Sequence, residues 1–551
     1  MGLLDPTPPP YDPLEWQTKP FTERARLVCG AWALQGYGSP PAVYAVYLIK
    51  LVVLYVGGWI LWCRFTPGLG ELATIAQWWL EPIAFQKAIV WSMMFELLGF
   101  GCGSGPLTGR YVPPIGGFLH FLRPGTTKLP LAPKLPVFGG HRRTIFDVLL
   151  YAALIGVLGW TLSSAVPQVA QFGAAIGLLA VLGVADKTIF LAARAEHYWT
   201  MLVCFALTTN WIAAAMAVQL ALWFWAGFSK LNHHFPAVVG VMTSNSPVAR
   251  FAGLRRRMYR DYPDDLRPSR LAIFLGHFGT ALEFAVPLVL GFASIFAPGG
   301  PWLILGLVLM IMLHGYITTN VPMGVPIEWN VAVAYGGFAL FWAHPEISVL
   351  DIDSPLLAGF LTVMLIGLPL VGNLCPSAVS FLLAMRYYAG NWACSVWLFR
   401  GDSHRKLDRL RKSAAWADDQ LALFYDRGTT VALLSKVVAF RLMHLHGRAI
   451  PILLPQAVEQ IEDYEWADGE LIAGLALGWN FGDGHLHDEQ LLHAIQAQSG
   501  FEPGELRCIF VESQPLGRSS QRWRIADAAT GLIAAGELTT AELRERQPWG
   551  A

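Results

Sequence analysis

The stretch Trp223-Phe-Trp-Ala-Gly-Phe-Ser-Lys-Leu-Asn-His-His234 ends a long apolar segment, residues 201–228. It places Lys230 and two histidines where a segment long enough to cross a membrane stops. An ammonium group is costly inside hydrocarbon, so Lys230 either extends to the lipid headgroups or faces a protected interior with polar partners. A lysine at the headgroups would be an anchoring residue, and a lysine in the protected interior would be a functional one.

The composition of the whole chain is that of a membrane protein. Of its 551 residues, 54% are hydrophobic and 14% are charged, whereas soluble domains have roughly 25% charged residues. The mean hydropathy is +0.44, which predicts a lipid bilayer as the main partner. Basic and acidic residues number 39 each, so no overall charge favours nucleic acid. The seven cysteines form no Cys-x-x-Cys pair, which indicates neither a disulfide framework nor a thiolate zinc site.

Nine apolar segments favour membrane helices. They are residues 43–62, 85–101, 145–166, 171–184, 201–228, 271–296, 301–319, 331–343 and 356–383. We therefore predict an all-α polytopic membrane bundle of about nine transmembrane helices over residues 43–385. An amphipathic arm, residues 1–42, precedes it and is expected to dock at the membrane surface.

Residues 386–551 have the composition of a soluble domain, and we predict a small α+β fold there. Helical periodicity covers 413–438, and strand patterns cover 506–512, 522–525 and 532–535, with a turn at 527–531. A glycine-rich turn, 481–488, contains two acidic residues and two histidines. A solvated polar loop is the favoured interpretation of that turn, with a metal site as the alternative.

Basic residues mark three segments, 110–143, 250–270 and 386–412. The last two are four predicted spans apart, which favours the cytoplasm for both. The first lies three predicted spans before the second, so nine spans cannot place all three on one side. The sequence leaves the orientation open.

Several titratable residues fall in or beside the predicted spans, and a single buried histidine is most often an interhelical hydrogen-bonding residue. Their density favours a functional interior, because a lysine that loses solvation also loses its proton more easily and can act as a general base. Asn320 begins a proline-broken stretch, 320–330, of the kind that lines cavities. The titratable residues are Glu196, His197, Lys230, His277, Glu283 and His314.

Four motifs resemble the horizontally transferred transmembrane family, which is similar to the vitamin K-dependent γ-carboxylase. They are Glu196-His-Tyr-Trp-Thr-Met-Leu202, Trp225-Ala-Gly-Phe-Ser-Lys-Leu231, Gly276-His-Phe-Gly-Thr-Ala-Leu-Glu-Phe284 and Leu313-His-Gly-Tyr316. The likeness covers about residues 145–345. The layout of bundle and short C-terminal domain also resembles an uncharacterised bacterial multi-pass transmembrane family.

The resemblance implies that Lys230 corresponds to the lysine that deprotonates a reduced quinone, and His197 to a histidine tied to catalysis. With Glu196 these form the expected catalytic group, and His277, Glu283, His314 and Asn320 the expected substrate-binding group. The expected ligand is a lipophilic molecule, with reduced quinone as a candidate cofactor, in a bacterial inner membrane. Residues 386–551 are much shorter than the carboxylase's substrate-recognition region, which argues against carboxylation of a protein. The alternative is a non-enzymatic lipid-binding, transport or scaffold protein.

Overall fold

The computed structural model describes residues 2–101, 116–319, 327–379, 386 and 389–550. Before residue 380 the helices are α1 Pro13–Thr18, α2 Phe21–Gln35, α3 Pro41–Cys63, α4 Ile75–Trp78, α5 Pro82–Leu97, α6 Gly116–Phe121, α7 Ile145–Ser163, α8 Val169–Ala185, α9 Lys187–Ala192, α10 Ala195–Leu207, α11 Trp211–Ser229, α12 Phe235–Asn245, α13 Ala252–Arg257, α14 Arg270–Phe296, α15 Pro301–Thr318, α16 Ile327–Gly336 and α17 Pro355–Leu374. A hairpin of β1 Tyr259–Asp261 and β2 Asp265–Pro268 precedes α14. Wider π-helical turns form the middle of α3 and of α17 and extend α16.

After residue 389 the elements are β3 Cys394–Arg400, α18 Ala417–Leu421, α19 Arg427–Met443, α20 Ile450–Ala457, β4 Tyr464–Asp468, α21 Gly469–Leu477, α22 Glu489–Ser499, β5 Leu506–Val511, β6 Ser520–Asp527, β7 Gly531–Thr539 and α23 Thr540–Glu545. The strands form one antiparallel sheet in the order β4-β3-β5-β6-β7. The three strands expected from the sequence correspond to β5, β6 and β7, while β3 and β4 were not predicted.

Six helices are long and apolar enough to cross a membrane: α3, α7, α11, α14, α15 and α17. The bent pair Arg427–Met443 and His446–Ala457, which meet at 94°, would make a seventh. The chain is thus a multi-pass membrane protein, but nine spans are not confirmed. The predicted spans 85–101, 171–184 and 331–343 are the shorter helices α5, α8 and α16. Almost all of α5 is buried, so protein rather than lipid surrounds it.

The predicted span 201–228 is two helices. It breaks between α10 and α11, where Thr208 is extended and the Asn210 backbone is not helical. The Thr208 hydroxyl donates to Asp353 Oδ1 at 2.8 Å, and the Asn210 amide donates to Asp351 O at 3.0 Å. These bonds satisfy polar groups that a continuous membrane helix would leave in hydrocarbon. Lys230 and His197 therefore do not lie at the two ends of one helix.

The bundle has a face that contacts the C-terminal domain, here called the proximal face. Lys187, after α8, donates to His485 O at 2.9 Å, and Asn373, in α17, accepts from the Leu516 N–H at 2.7 Å. The segment before α14 contacts the same domain, since Gln547 accepts from a backbone N–H there. The loop before α7 contacts it too.

The opposite, distal face holds the other helix connections. Thr66, after α3, donates to Ala165 O, after α7, at 2.6 Å, and the α10–α11 break contacts the segment before α17. With α10 and α11 counted separately, ten helices of the described residues run between the two faces: α3, α5, α7, α8, α10, α11, α14, α15, α16 and α17.

The start of α3 contacts the arm, since the Ala42 N–H donates to Leu3 O at 2.9 Å, and the arm contacts the C-terminal domain, since the Tyr425 hydroxyl donates to Leu4 O at 3.0 Å. The end of α17 contacts the same domain through Asn373, so both ends of the bundle lie on the proximal face.

The N-terminal arm packs on protein. Val28, Cys29 and Trp32 of α2 are fully buried in a cluster with α12 and α19, and the Trp32 indole donates to Val241 O at 3.2 Å. These apolar side chains of the arm are therefore part of the protein core and do not contact lipid.

Candidate ligand cavity

A cavity lies at the proximal end of α10, between α10, α11, α16 and α17. Its interior volume is about 50 Å³, and the open space at its mouth brings the total to about 500 Å³. Its walls are mainly apolar, and its polar groups are collected at the start of α10. The lining residues are Arg194, Glu196, His197, Val218, Ala221, Leu222, Trp225, Trp329, Met364, Leu365 and Pro369. An apolar pocket with a few polar groups at one end is typical of a site for a lipophilic small molecule.

The local sequence fixes the polar end. Arg194 has a left-handed backbone, with φ 51°, which turns the chain sharply from α9 into α10. Glu196 and His197 consequently lie in the first turn of α10. Trp225, one of the aromatic residues of the opening motif, donates from its indole to Leu365 O at 2.6 Å. That bond joins α11 to α17 and closes the apolar wall.

His197 has one hydrogen-bonding nitrogen in use. The Trp329 indole N–H, which can only donate, lies 3.1 Å from His197 Nδ1. A neutral His197 therefore accepts at Nδ1 and has its proton on Nε2. The Nε2 atom is buried and has no hydrogen-bond partner among the residues that the structure describes. The ring thus presents an N–H group that can donate a hydrogen bond to an oxygen atom of a bound molecule.

Arg194 and Glu196 give the polar end its charged groups. The Arg194 guanidinium lies 5.2 Å from the Trp329 ring and 4.6 Å from the Phe481 ring of the C-terminal domain. Its Nε is 3.6 Å from Glu96 Oε1. Cation–π contacts of this kind hold a guanidinium in place. The C-terminal domain therefore helps to position one wall of the cavity.

Lys230 lies elsewhere in the interior, paired with Glu283. It is 6% exposed, and its Nζ lies 2.5 Å from Glu283 Oε2 and 3.3 Å from Ala226 O. The amine is therefore not among the lipid headgroups, but it is not part of the cavity lining either. Of the expected catalytic residues, Glu196 and His197 line the cavity and Lys230 does not.

His314 links three helices, α11, α15 and α16, through hydrogen bonds. Its Nε2 accepts from the Trp223 indole at 2.8 Å, and its Nδ1–H donates to Asn330 Oδ1 at 2.6 Å. Asn330 also donates to Thr318 Oγ1 at 2.6 Å, so His314 and Thr318, four residues apart on α15, share one face of that helix. Both ring nitrogens are occupied, which leaves His314 no free group for a substrate.

The other expected binding residues do not meet at the cavity. His277 is exposed on α14, and Glu283, six residues later, is buried, because six residues turn a helix by about 120° from the starting direction. Asn320 lies outside the described residues. Sequence reasoning did not single out Trp329, Arg194 or Asn330, although all three lie within or beside the quoted polar stretches.

The glycine-rich turn 481–488 uses its polar residues within the protein. His485 Nε2 lies 3.1 Å from Glu512 Oε1, and His487 Nδ1 lies 2.7 Å from Ser395 Oγ. Asp483 accepts from the His485 N–H. In the part of the chain that the structure describes, no group of three or more His, Cys, Asp or Glu residues is arranged to hold a metal ion.

Comparison with known proteins gives one match. Residues 1–551 match a family described as "Transmembrane protein of unknown function (DUF3556)". No curated protein and no solved structure matches the chain.

Proposed function

Since the chain belongs to the DUF3556 family of transmembrane proteins of unknown function, we propose that this multi-pass membrane protein binds a lipophilic molecule in the cavity beside α10. The occupant is a quinone or another lipid with an acceptor oxygen. The observation that supports this most directly is the His197 Nε2–H, which is buried without an acceptor among the described residues. An unsatisfied buried donor costs about 1–3 kcal/mol, and an oxygen of the occupant would remove that cost.

The rest of the lining suits the apolar part of such a molecule. Val218, Leu222 and Leu365 are apolar lining residues, against which a ring or an alkyl chain would pack away from water. Arg194 and Glu196 flank the expected headgroup. A reduced quinone matches the chemistry of this lining, since its hydroxyl oxygens accept hydrogen bonds and its ring is apolar. The resemblance to the carboxylase-like and bacterial families supports the same ligand class and a bacterial inner membrane as the location.

The role that the geometry supports best is non-enzymatic binding or transport of that molecule. Lysine-initiated redox or oxygen chemistry is the second candidate, and the contact that favours it is the 2.5 Å pair of Lys230 and Glu283. A carboxylate at that distance can accept the lysine proton, which a lysine base requires before it can act. The amine would then have to reach a substrate from outside the cavity lining.

The binding proposal is tested by the molecule that co-purifies with the protein. We expect wild type to retain a quinone or lipid that is quantified by mass spectrometry of an organic extract. In His197→Asn the amide oxygen keeps an acceptor for Trp329 and removes the Nε2 donor, so the retained amount is expected to fall several-fold, in line with one lost hydrogen bond. His277→Asn is the matched control and is expected to match wild type. Equal retention by all three proteins contradicts the proposal.

The chemical proposal needs a separate measurement. Oxygen consumption with added reduced quinone is compared between wild type and Lys230→Ala. Turnover that depends on Lys230 supports an enzyme, whereas equal rates in both proteins refute lysine-initiated chemistry and leave the binding role standing.

A further inference from the structure

A second cleft lies between the proline-rich start of the chain and helix α19. Its interior volume is about 460 Å³, and the open space at its mouth brings the total to about 1010 Å³. One wall is Pro6, Pro8 and Pro9, and the other is the face of α19 that contains Thr429 and Lys436. These two residues are seven apart, which places them on one side of the helix about 10 Å from each other along its axis.

Lys436 lies at the floor of this cleft, and its ammonium group has no acidic partner among the described residues. Its side chain is 1% exposed, and its Nζ makes two long hydrogen bonds, 3.3 Å to Gln35 Oε1 and 3.5 Å to Gly36 O. Both acceptors are neutral, and no acidic side chain of the described residues forms an ion pair with it. Buried ammonium groups are normally paired, because desolvation of a charge is costly.

The mouth of the cleft has the opposite charge. Asp5 and Asp426 line it, and both are exposed. Two carboxylates at the entrance repel a phosphate or a dicarboxylate, whereas an amine beside them is attracted. The cleft therefore has a cation at its floor and anions at its mouth, and a ligand that complements it is negative at one end and positive at the other.

We propose that this cleft binds a small amino-carboxylate, with its carboxylate on Lys436 and its ammonium between Asp5 and Asp426. The carboxylate supplies the counter-charge that the buried amine lacks. Thr429 and Tyr37 also line the cleft. This site is independent of the quinone or lipid cavity, with which it shares no lining residue.

The test uses three probes of the same chain length: 6-aminohexanoate, hexanoate and hexylamine. Binding to the full-length protein in detergent is followed by the shift of the thermal unfolding temperature. We expect the largest shift with 6-aminohexanoate, a smaller one with hexanoate and none with hexylamine. No shift with the two carboxylates, or a shift with hexylamine as large as that with hexanoate, overturns the proposal.

Variants assign the binding to the two ends of the cleft. Lys436→Met is expected to unfold at a higher temperature without ligand and to lose at least about tenfold in 6-aminohexanoate affinity, which is about 1.4 kcal/mol. Lys436→Arg keeps the positive charge, so hexanoate should still shift the unfolding temperature of this variant. Asp426→Asn keeps the helix cap but removes the charge. In this variant 6-aminohexanoate should shift the unfolding temperature no more than hexanoate does. Lys134→Met, at an exposed lysine, is the control, and an unchanged affinity in Lys436→Met refutes the site.

Discussion

His197 and His314 show how the surroundings of two buried histidines separate their roles. Each accepts a hydrogen bond from a tryptophan indole, His197 at Nδ1 and His314 at Nε2. The second nitrogen of His314 donates to Asn330, whereas that of His197 has no partner among the described residues. A satisfied histidine stabilises the packing of helices, and the unsatisfied Nε2 of His197 at the cavity wall is the group that we propose binds a ligand.

Lys230 and Glu283 form a buried pair whose separate removal should be costly. Lys230→Met leaves the Glu283 carboxylate buried without its partner, and we expect the free energy of unfolding to fall by about 3–5 kcal/mol. The double variant Lys230→Met, Glu283→Met removes both charges and should recover most of that loss. Unfolding in detergent, followed by circular dichroism, measures both. A single variant as stable as wild type would mean that the two groups are solvated.

His485 and Glu512 form a second buried pair, outside the bundle, that makes stability depend on pH. Burial alone lowers the pKa of His485, but the Glu512 carboxylate and Asp483 outweigh it and raise the pKa above its usual value. Burial alone raises the pKa of Glu512, but the His485 imidazolium and the Ser513 N–H lower it to about 2.

The sign of the pH effect follows from these two directions. The stabilisation from His485 is complete below about pH 6.5 and is lost as the pH rises through its raised folded-state pKa, and that from Glu512 is complete above about pH 4.3. We expect the difference in unfolding temperature between wild type and His485→Gln to be largest near pH 6 and to shrink towards pH 9. A difference that does not vary with pH contradicts this account of the pair.

At the residue scale, the sequence predicts where some polar side chains lie but not which residues they contact. The cost of an ammonium in hydrocarbon restricted Lys230 to two positions, and the structure has it in the interior. Glu283, its partner, is 53 residues away along the chain, and no local pattern joins the two. The same holds for His197 and Trp329, which are 132 residues apart.

At the scale of elements, apolar runs predicted where helices lie but not where one of them breaks. Residues 208–210 contain neither glycine nor proline, so the sequence has no local signal for the turn between α10 and α11. The turn is stabilised by Asp351 and Asp353, more than 140 residues later. Strands β3 and β4 were missed for a related reason. β3 is almost entirely buried, so it lacks an apolar–polar alternation, and its partners Asp468 and Val511 come much later in the chain. β4 is a half-buried edge strand whose partner is β3, more than 60 residues earlier.

The break gives a labelling prediction. Thr209 is exposed at the distal turn, so Thr209→Cys should react with a membrane-impermeant maleimide more than wild type does. Thr200→Cys, at a fully buried position of α10, is the control and should add no labelling. If residues 201–228 formed one continuous membrane helix, Thr209→Cys would be as unreactive as Thr200→Cys.

At the scale of the whole molecule, the broken helix settles the arrangement of the basic segments. Nine spans could not place them all on one side, but ten helices between the two faces can. Arg123 of the first segment donates to Lys412 O of the third at 2.9 Å, and Arg267 of the second contacts Glu545 of the C-terminal domain. The described parts of all three segments therefore lie on the proximal face, together with both ends of the bundle.

This arrangement predicts the orientation. Lys and Arg are enriched in cytoplasmic loops, so the proximal face, the N-terminal arm and the C-terminal domain should be cytoplasmic. Epitope tags at either terminus are expected to bind antibody only after the cells are permeabilised. A tag that is accessible at one terminus in intact cells would contradict the even number of crossings, and tags accessible at both would reverse the orientation.

The central claim is that the cavity beside α10 holds a lipophilic molecule through the His197 donor. An electron cryo-microscopy map of the protein purified from its native membrane tests it most directly. We expect elongated density along Leu222 and Leu365 that ends in a polar atom within about 3.2 Å of His197 Nε2. A cavity that is empty or closed by its own side chains, with His197 bonded to another residue of the protein, would contradict it.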